Sequence, residues 1–423
     1  MAFALLQTAL ILVTVQSQAT PPAAFVVAAT AGRQPGDAPV EARLGQRVTL
    51  YAVVRVGRGW RARYYTDAPA LTLRGRRIRR RQVLPLARLG RVRVQWYLVE
   101  PFQHHKTLKP PNKGNPAYSN SVLFGRRHGR WLGFDTLEYH EALIPGQGGS
   151  GQGGSGQGGS GQRGSKLEVR KATPTHPKVN VHGGLGTMRY KAVVQWPGGA
   201  AASPGASDNR RGGISERVLR VSWREADDFV GYLTSYFNVP NVFGSAGPGR
   251  AHQTELFQGA DCADVIIGGA RRAGAKLAYT HAAGLLKYAR RVTRKLLLTR
   301  QGLAYADGPR QGQPVRLRFG RDVRRGDIML IDYVGWQGSP RSWDHVAVVA
   351  RDQGRRGWFD PQDPVIHMGY LWGLTETAAQ NEGPAIVQFL RFHPRTLRAF
   401  RRHRLQLQKK RRKLVAARGR RPR

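Results

Sequence analysis

Three stretches in the first half of the chain change side-chain character at every second residue, and this alternation constrains the fold more than any other feature. "RVTLYAVVRV" places Val48, Leu50, Ala52, Val54 and Val56 on one side. "RVRVQWYLVEP" does the same with Val92, Val94, Trp96 and Leu98. "TMRYKAVVQW" does so with Met188, Tyr190, Ala192, Val194 and Trp196. A period of two with polar partners belongs to half-buried strands, one face on a core and one toward water. Several such strands separated by Gly/Pro turns predict an antiparallel β-sandwich of immunoglobulin-like type over residues 20–212. "GRRIRRRQVL" breaks the pattern with charge and reads as an exposed edge or loop. The five-residue repeat at 146–165, "GQGGSGQGGSGQGGSGQRGS", has flexible-linker composition. It reads as a loop inside the sandwich, because strand-like sequence resumes at Leu167. A second polar stretch ends at Gly213 and marks the expected domain boundary.

Beyond it the period changes. "SWREADDFVGYLTSYFN" sets Phe229, Val230, Leu233, Tyr236 and Phe237 on one helical face. "CADVIIGGARRAG" and "THAAGLLKYARRVTRKLL" also read as helices, and "GDIMLIDYVG" and "DHVAVVARD" as strands. The fold class expected for the whole is α+β, with residues 213–394 as a second, mixed domain and 395–423 as a basic tail. The tail's first part reads as a helix and its end as disordered.

Charge narrows the partners. The chain carries 69 Lys+Arg against 26 Asp+Glu, a net +43, which favours anionic polymers over neutral or cationic ones. The tail, with "KKRRK", could hold such a polymer. Nucleic acid is the weaker candidate, because no aromatic platform is interleaved with the tail's charge. The N-terminal "MAFALLQTALILVTVQSQAT" has a short apolar core and a small-x-small site at Ser17-Gln18-Ala19. Residues 1–19 are therefore expected to be a signal peptide of an exported, periplasmic or extracellular protein, with no transmembrane segment in the mature chain. No metal or organic cofactor is implied. His104 and His105 lack a third ligand at metal spacing, the glycines form no phosphate-binding fingerprint, and Asp227 and Asp228 read as surface charge.

One cysteine, Cys262, is present. Asp261 before it is a helix-capping residue, so Cys262 falls in the first turn, where the helix dipole favours a thiolate. His345 opens a later strand and is placed to act as a base toward a thiol. A third polar group should orient the imidazole, and the next strand region offers Asp360, Asp363 and His367.

These pieces resemble the NlpC/P60 superfamily of papain-like cysteine peptidases and amidases. "VPNVFGSAG" is similar to the family's aromatic Gly-Gly turn, "ADCADV" to its Asp-Cys-Ser-Gly helix start, and "RRGDIMLID" to its Pro-Gly-Asp strand. "DHVAVV" resembles its His strand and "VIHMGY" the strand of its third polar residue. The resemblance implies that Cys262 is the nucleophile, His345 the base and His367 the orienting residue, with Asp360 as rival. It also implies hydrolysis of an amide or peptide bond, with a cell-wall peptide as substrate. The family's turn tyrosine falls at Asn241 and its Ser-Gly at Ala263-Asp264. The alternative is a non-catalytic binding protein that keeps the papain-like scaffold and grips a polyanion.

Overall fold

The computed structural model describes residues 21–101, 139–145, 165–175, 182–210, 213–242, 245, 253–334, 343–369 and 373–419, the side chains of the last helix only through Lys410. The expected signal peptide and nearly all of the Gly/Ser stretch lie outside the described residues. Strands predominate over helices and are distributed over several sheets, an α+β arrangement.

In the first half the alternating stretches become the strands Val48–Val56, Arg93–Pro101 and Gly186–Trp196. They belong to two sheets. One orders Ala23–Thr30, Val48–Val56, Arg63–Tyr65 and Val83–Leu84, with Lys166–Val169 also beside Val48–Val56. The other orders Val40–Arg43, Leu219–Arg224, Gly186–Trp196, Arg93–Pro101 and Tyr139–Leu143, with Gly199–Ala202 beside Gly186–Trp196. The residues that alternation assigns inward, among them Leu50, Val54, Val94, Trp96, Met188 and Tyr190, meet in one core between the sheets. Removing that apolar area from water drives the two sheets together.

Two features depart from the sequence reading. Val40–Arg43 pairs in parallel with Leu219–Arg224, and Arg63–Tyr65 pairs in parallel with Val83–Leu84. The sandwich is therefore not wholly antiparallel. The chain changes sheets between Thr30 and Val40, so its second strand enters beside the last strand of the other sheet. That last strand also lies past Gly213. Leu219, Val221 and Trp223 fill the same core, so the sandwich runs to Arg224 and the polar stretch before Gly213 is an excursion within it.

The outer face of the second sheet is polar and packs on the second half. Thr187 Oγ1 lies 2.6 Å from Ser222 Oγ and donates to the Ser235 carbonyl at 2.8 Å. Arg189 donates to the Phe257 carbonyl at 2.6 Å.

The second half begins with α1, Phe229–Thr234, capped by Asp228, which accepts from the Gly231 N–H. The helix is shorter than its sequence period suggests: Tyr236 and Phe237 follow it in a turn that Asn238 closes at a φ of 67°. Both are nevertheless buried in the same core as Phe229 and Leu233. Asp227 is buried and pairs with Arg224 at 2.8 Å, so it is not surface charge.

Helix α2, Cys262–Arg272, lies on a sheet whose central order is Leu296–Thr299, Ala385–Phe392, Ile328–Tyr333, His345–Val349, Pro364–Gly369 and Gly373–Ala378. Val265, Ile266 and Ile267 of α2 meet Ile328, Leu330, Val346, Val348, Ile366 and Met368 from one sheet face. Gly268 lets α2 approach closely, since a Cβ there would stand 2.6 Å from the Tyr236 hydroxyl. The segment Thr280–Leu297, expected as a helix, is a 3₁₀ turn at Ala282–Lys287 followed by the strands Ala289–Arg291 and Leu296–Thr299. Leu296 and Leu298 alternate into the core on the sheet's other face, and pairing with Ala385–Phe392 overrides local helix propensity.

Helix α3, Pro394–Gly419, spans 26 residues. Leu397, Phe400 and Leu407 pack on the α2 core. The part expected to be disordered is helical through Gly419. No helix among the described residues is long and apolar enough to cross a membrane.

Candidate functional site

Cys262 opens α2 because Asp261 stops the preceding chain in extended conformation and accepts from the N–H groups of Ala263 and Asp264, at 3.0 and 2.7 Å. The residue before the cap, Ala260, bridges to Asn241, and the Asn241 amide donates to the Gly369 carbonyl at 3.4 Å. The thiol is partly buried, and the backbone N–H groups of Ala263 and Val346 stand near enough to favour its thiolate form. Val346 follows His345, so the sulfur rests against the start of the His345 strand.

The strand register sets the imidazoles. Ala347 is opposite His367 in an antiparallel pair, which brings His367 within one strand spacing of His345. His345 Nε2 lies 2.9 Å from His367 Nδ1. His367 Nε2 faces Thr375 Oγ1 at 3.1 Å, Thr377 Oγ1 at 3.3 Å and Glu382 Oε1 at 3.2 Å. Glu382 is buried and accepts from the Tyr333 hydroxyl at 2.5 Å. The Tyr333 ring in turn stacks on His345 at 6.2 Å between centroids.

This network fixes tautomers by elimination. A carboxylate accepts only, so His367 Nε2 carries the proton toward Glu382. Neutral His367 then offers Nδ1 as an acceptor, and His345 must donate from Nε2. The remaining nitrogen, His345 Nδ1, keeps a lone pair and has no hydrogen-bond partner among the described residues. It is the atom left to take a proton from a thiol.

Electrostatics correct one expectation. The helix start was expected to lower the thiol pKa; burial instead raises it, followed by the charges of Asp261 and Asp264, against the two backbone N–H groups. Burial, with a smaller contribution from His367, pushes His345 down to about 3. Burial lowers His367 as well, partly offset by Glu382. The resting pair is a neutral thiol and a neutral imidazole. No hydrogen bond joins the thiol to either imidazole among the described residues.

Asp360 is not brought to this site. It accepts from the N–H groups of Arg355 and Gln362 in the turn before Pro364–Gly369. Asp363, fully buried, closes the same turn through Gln353, Gly354 and Asp360. Trp343 packs against the same core that Cys262 does. Trp358 lies under Arg318 and Arg355, and Trp336 is outside the described residues. Sequence reasoning missed Glu382 and Tyr333. Neither sits at a recognisable spacing from Cys262 or His345, and only strand order brings them in.

His345, His367 and Glu382 place three potential ligand atoms within 4.8 Å of one another. The 2.9 Å imidazole contact has hydrogen-bond length. Two nitrogens on one tetrahedral zinc stand about 3.3 Å apart. The geometry is thus that of a proton-sharing chain, and a cation would have to displace that proton. No family model, curated protein or solved structure matches the chain.

Proposed function

We propose that the protein is a thiol-dependent hydrolase of amide or peptide bonds, with Cys262 as nucleophile, His345 as base and His367 as the residue that orients it. The observation that carries this reading is the His345–His367–Glu382 chain, which leaves His345 Nδ1 unprotonated beside the strand start that holds the Cys262 sulfur. His345 Nδ1 takes the thiol proton as sulfur attacks the carbonyl carbon. The C–N bond then breaks, the proton passes to the leaving amine, and water releases the acyl group from sulfur. A neutral resting pair requires proton transfer to accompany attack.

The papain-like assignment of the second half rests on the ordered motifs and on a nucleophile-bearing helix packed against the antiparallel sheet that carries the base. The immunoglobulin-like assignment of the first half rests on strand order. The first strand pairs with Val48–Val56, the second joins the last strand of the opposite sheet, and buried Trp96 sits on a central strand. Cell-wall peptide as substrate and export to the periplasm or beyond follow from the resemblance and the leader sequence.

A second reading, a non-catalytic binder, is favoured by the raised thiol pKa and the absence of a thiol–imidazole hydrogen bond among the described residues. Incubation with a peptidoglycan digest separates the two. Release of new amine termini by the wild type, abolished in Cys262→Ala and His345→Ala, supports the hydrolase; no release by any of the three supports the binder.

A further inference from the structure

The thiol site leaves one prominent sequence feature unused. Residues 74–81, "RGRRIRRR", hold six arginines in eight positions. In the fold they form a small hairpin, Thr72–Leu73 with Arg76–Arg77, and the 3₁₀ turn Arg80–Gln82. All six side chains are exposed. None is paired with a carboxylate among the described residues; the nearby Asp37 binds only the backbone N–H of Arg74. Six unpaired like charges on one short excursion repel one another and invite a counter-charge.

Two neighbours give this charge a shape. The first is a cleft of about 510 Å³ between residues 66–71 and 77–85. Pro69, Leu71, Ile78 and Pro85 give it apolar walls, and Arg77 and Arg80 line it. Its polar residues are already occupied: Thr66 donates to the Ala52 carbonyl, and Asp67 accepts from the Leu86 N–H and Ser165 Oγ. The second is Trp60, 79% exposed. Gln82, at the end of the arginine turn, donates to the Trp60 carbonyl at 3.4 Å, and Arg61 sits over the indole at 4.8 Å. An exposed indole beside guanidinium groups is the aromatic platform that the C-terminal tail lacks.

We propose that this face of the sandwich binds single-stranded nucleic acid, with phosphates on Arg76, Arg77, Arg79 and Arg80, one base in the cleft and a neighbouring base stacked on Trp60. Arginine forks match phosphate oxygens two at a time. Both the apolar cleft and the open indole call for planar groups free of a duplex, which a single strand supplies. A base-free polyanion would leave both unused. The site is on the sandwich and does not depend on the thiol chemistry.

The test uses the full chain, a fluorescent dT20 probe and anisotropy titrations at several salt concentrations. The variants are Trp60→Ala and the fourfold R76Q/R77Q/R79Q/R80Q, both checked for an unchanged melting temperature. Trp60→Ala should weaken binding about tenfold at unchanged salt slope, because stacking carries no charge. The fourfold variant should lower the slope of log K against log salt by about 3, from roughly 0.7 per phosphate contact. Ultraviolet crosslinking of a bromouracil probe should label the peptide containing residues 60–82. Three results overturn the proposal: wild-type affinity in both variants, with binding lost in a full-length variant whose Lys409, Lys410, Arg411, Arg412 and Lys413 are replaced by Gln; inorganic polyphosphate of equal charge competing as well as dT20, with Trp60→Ala neutral; or crosslinks confined to other peptides.

Discussion

Asp261 performs two opposed tasks in one side chain. It caps α2, and its charge raises the thiol pKa. Asparagine caps almost as well without the charge. Asp261→Asn should therefore keep the melting temperature and shift the iodoacetamide alkylation profile of Cys262 to lower pH, whereas in the wild type the rate should still be climbing at pH 9. The half-buried imidazole has its own signature. His345 refuses a proton down to about pH 3, while the unfolded chain takes one near 6.5. Its contribution to stability is complete above about 6.5 and lost as pH falls toward 3. The melting temperature should drop across that window, and His345→Gln should flatten the drop. Glu382→Gln keeps the shape but removes the charge facing His367 Nε2. It should lower kcat roughly tenfold or more with KM unchanged, and EDTA should leave activity unchanged if the His345–His367 contact is a proton bridge. The places of Cys262 at a helix start and His345 at a strand start were legible because a capping aspartate and a strand start are local signals. Glu382 was not, because it lies in the 3₁₀ turn Ala379–Glu382, and only the pairing of Gly373–Ala378 with Pro364–Gly369 returns that turn to His367.

At the scale of elements, alternation read the sandwich strands well, since a half-buried sheet imposes its period on sequence directly. Helix readings fared unevenly. α2 was legible from its cap and its apolar run. The stretch after Thr280 was not, because Leu296 and Leu298 are held by pairing to Ala385–Phe392, a partner distant in sequence. The tail's first part is the helix that the sequence suggests, and its end was misread for a similar reason. Its arginines dominate composition, while its docking depends on a few apolar residues at helical spacing. Phe400 stacks on Phe229 at 5.6 Å and meets Phe392 edge-on at 5.5 Å, and His403 lies 3.1 Å from the Tyr232 hydroxyl. Phe400→Ala should cost about 2 kcal/mol in urea unfolding, a loss that a freely solvated tail would not show.

At the scale of the molecule, the two halves meet through charge. Phe257, at a φ of 58°, has the guanidinium groups of Arg220 and Arg272 at 4.1 and 4.3 Å from its ring centre and stacks on Tyr236 at 4.2 Å. Burial lowers Arg189, Arg220 and Arg272 to about 10. One strand of the sandwich and a helix from the second half thus share one aromatic ring. Phe257→Ala should lower a single calorimetric transition by about 3 kcal/mol or more. Two separate transitions in the wild type would contradict this coupling.

The last sandwich strand passes into α1 with only Glu225 to Asp228 between them, and the Arg224–Asp227 pair clamps that passage. The chain has no hinge at this point, so the molecule acts as a caliper. Whatever the sandwich grips, the sulfur of Cys262 stands at one set distance from it. A polymer held by the first half would be cut, if at all, at a constant offset, and fragment lengths would record the dimensions of the protein.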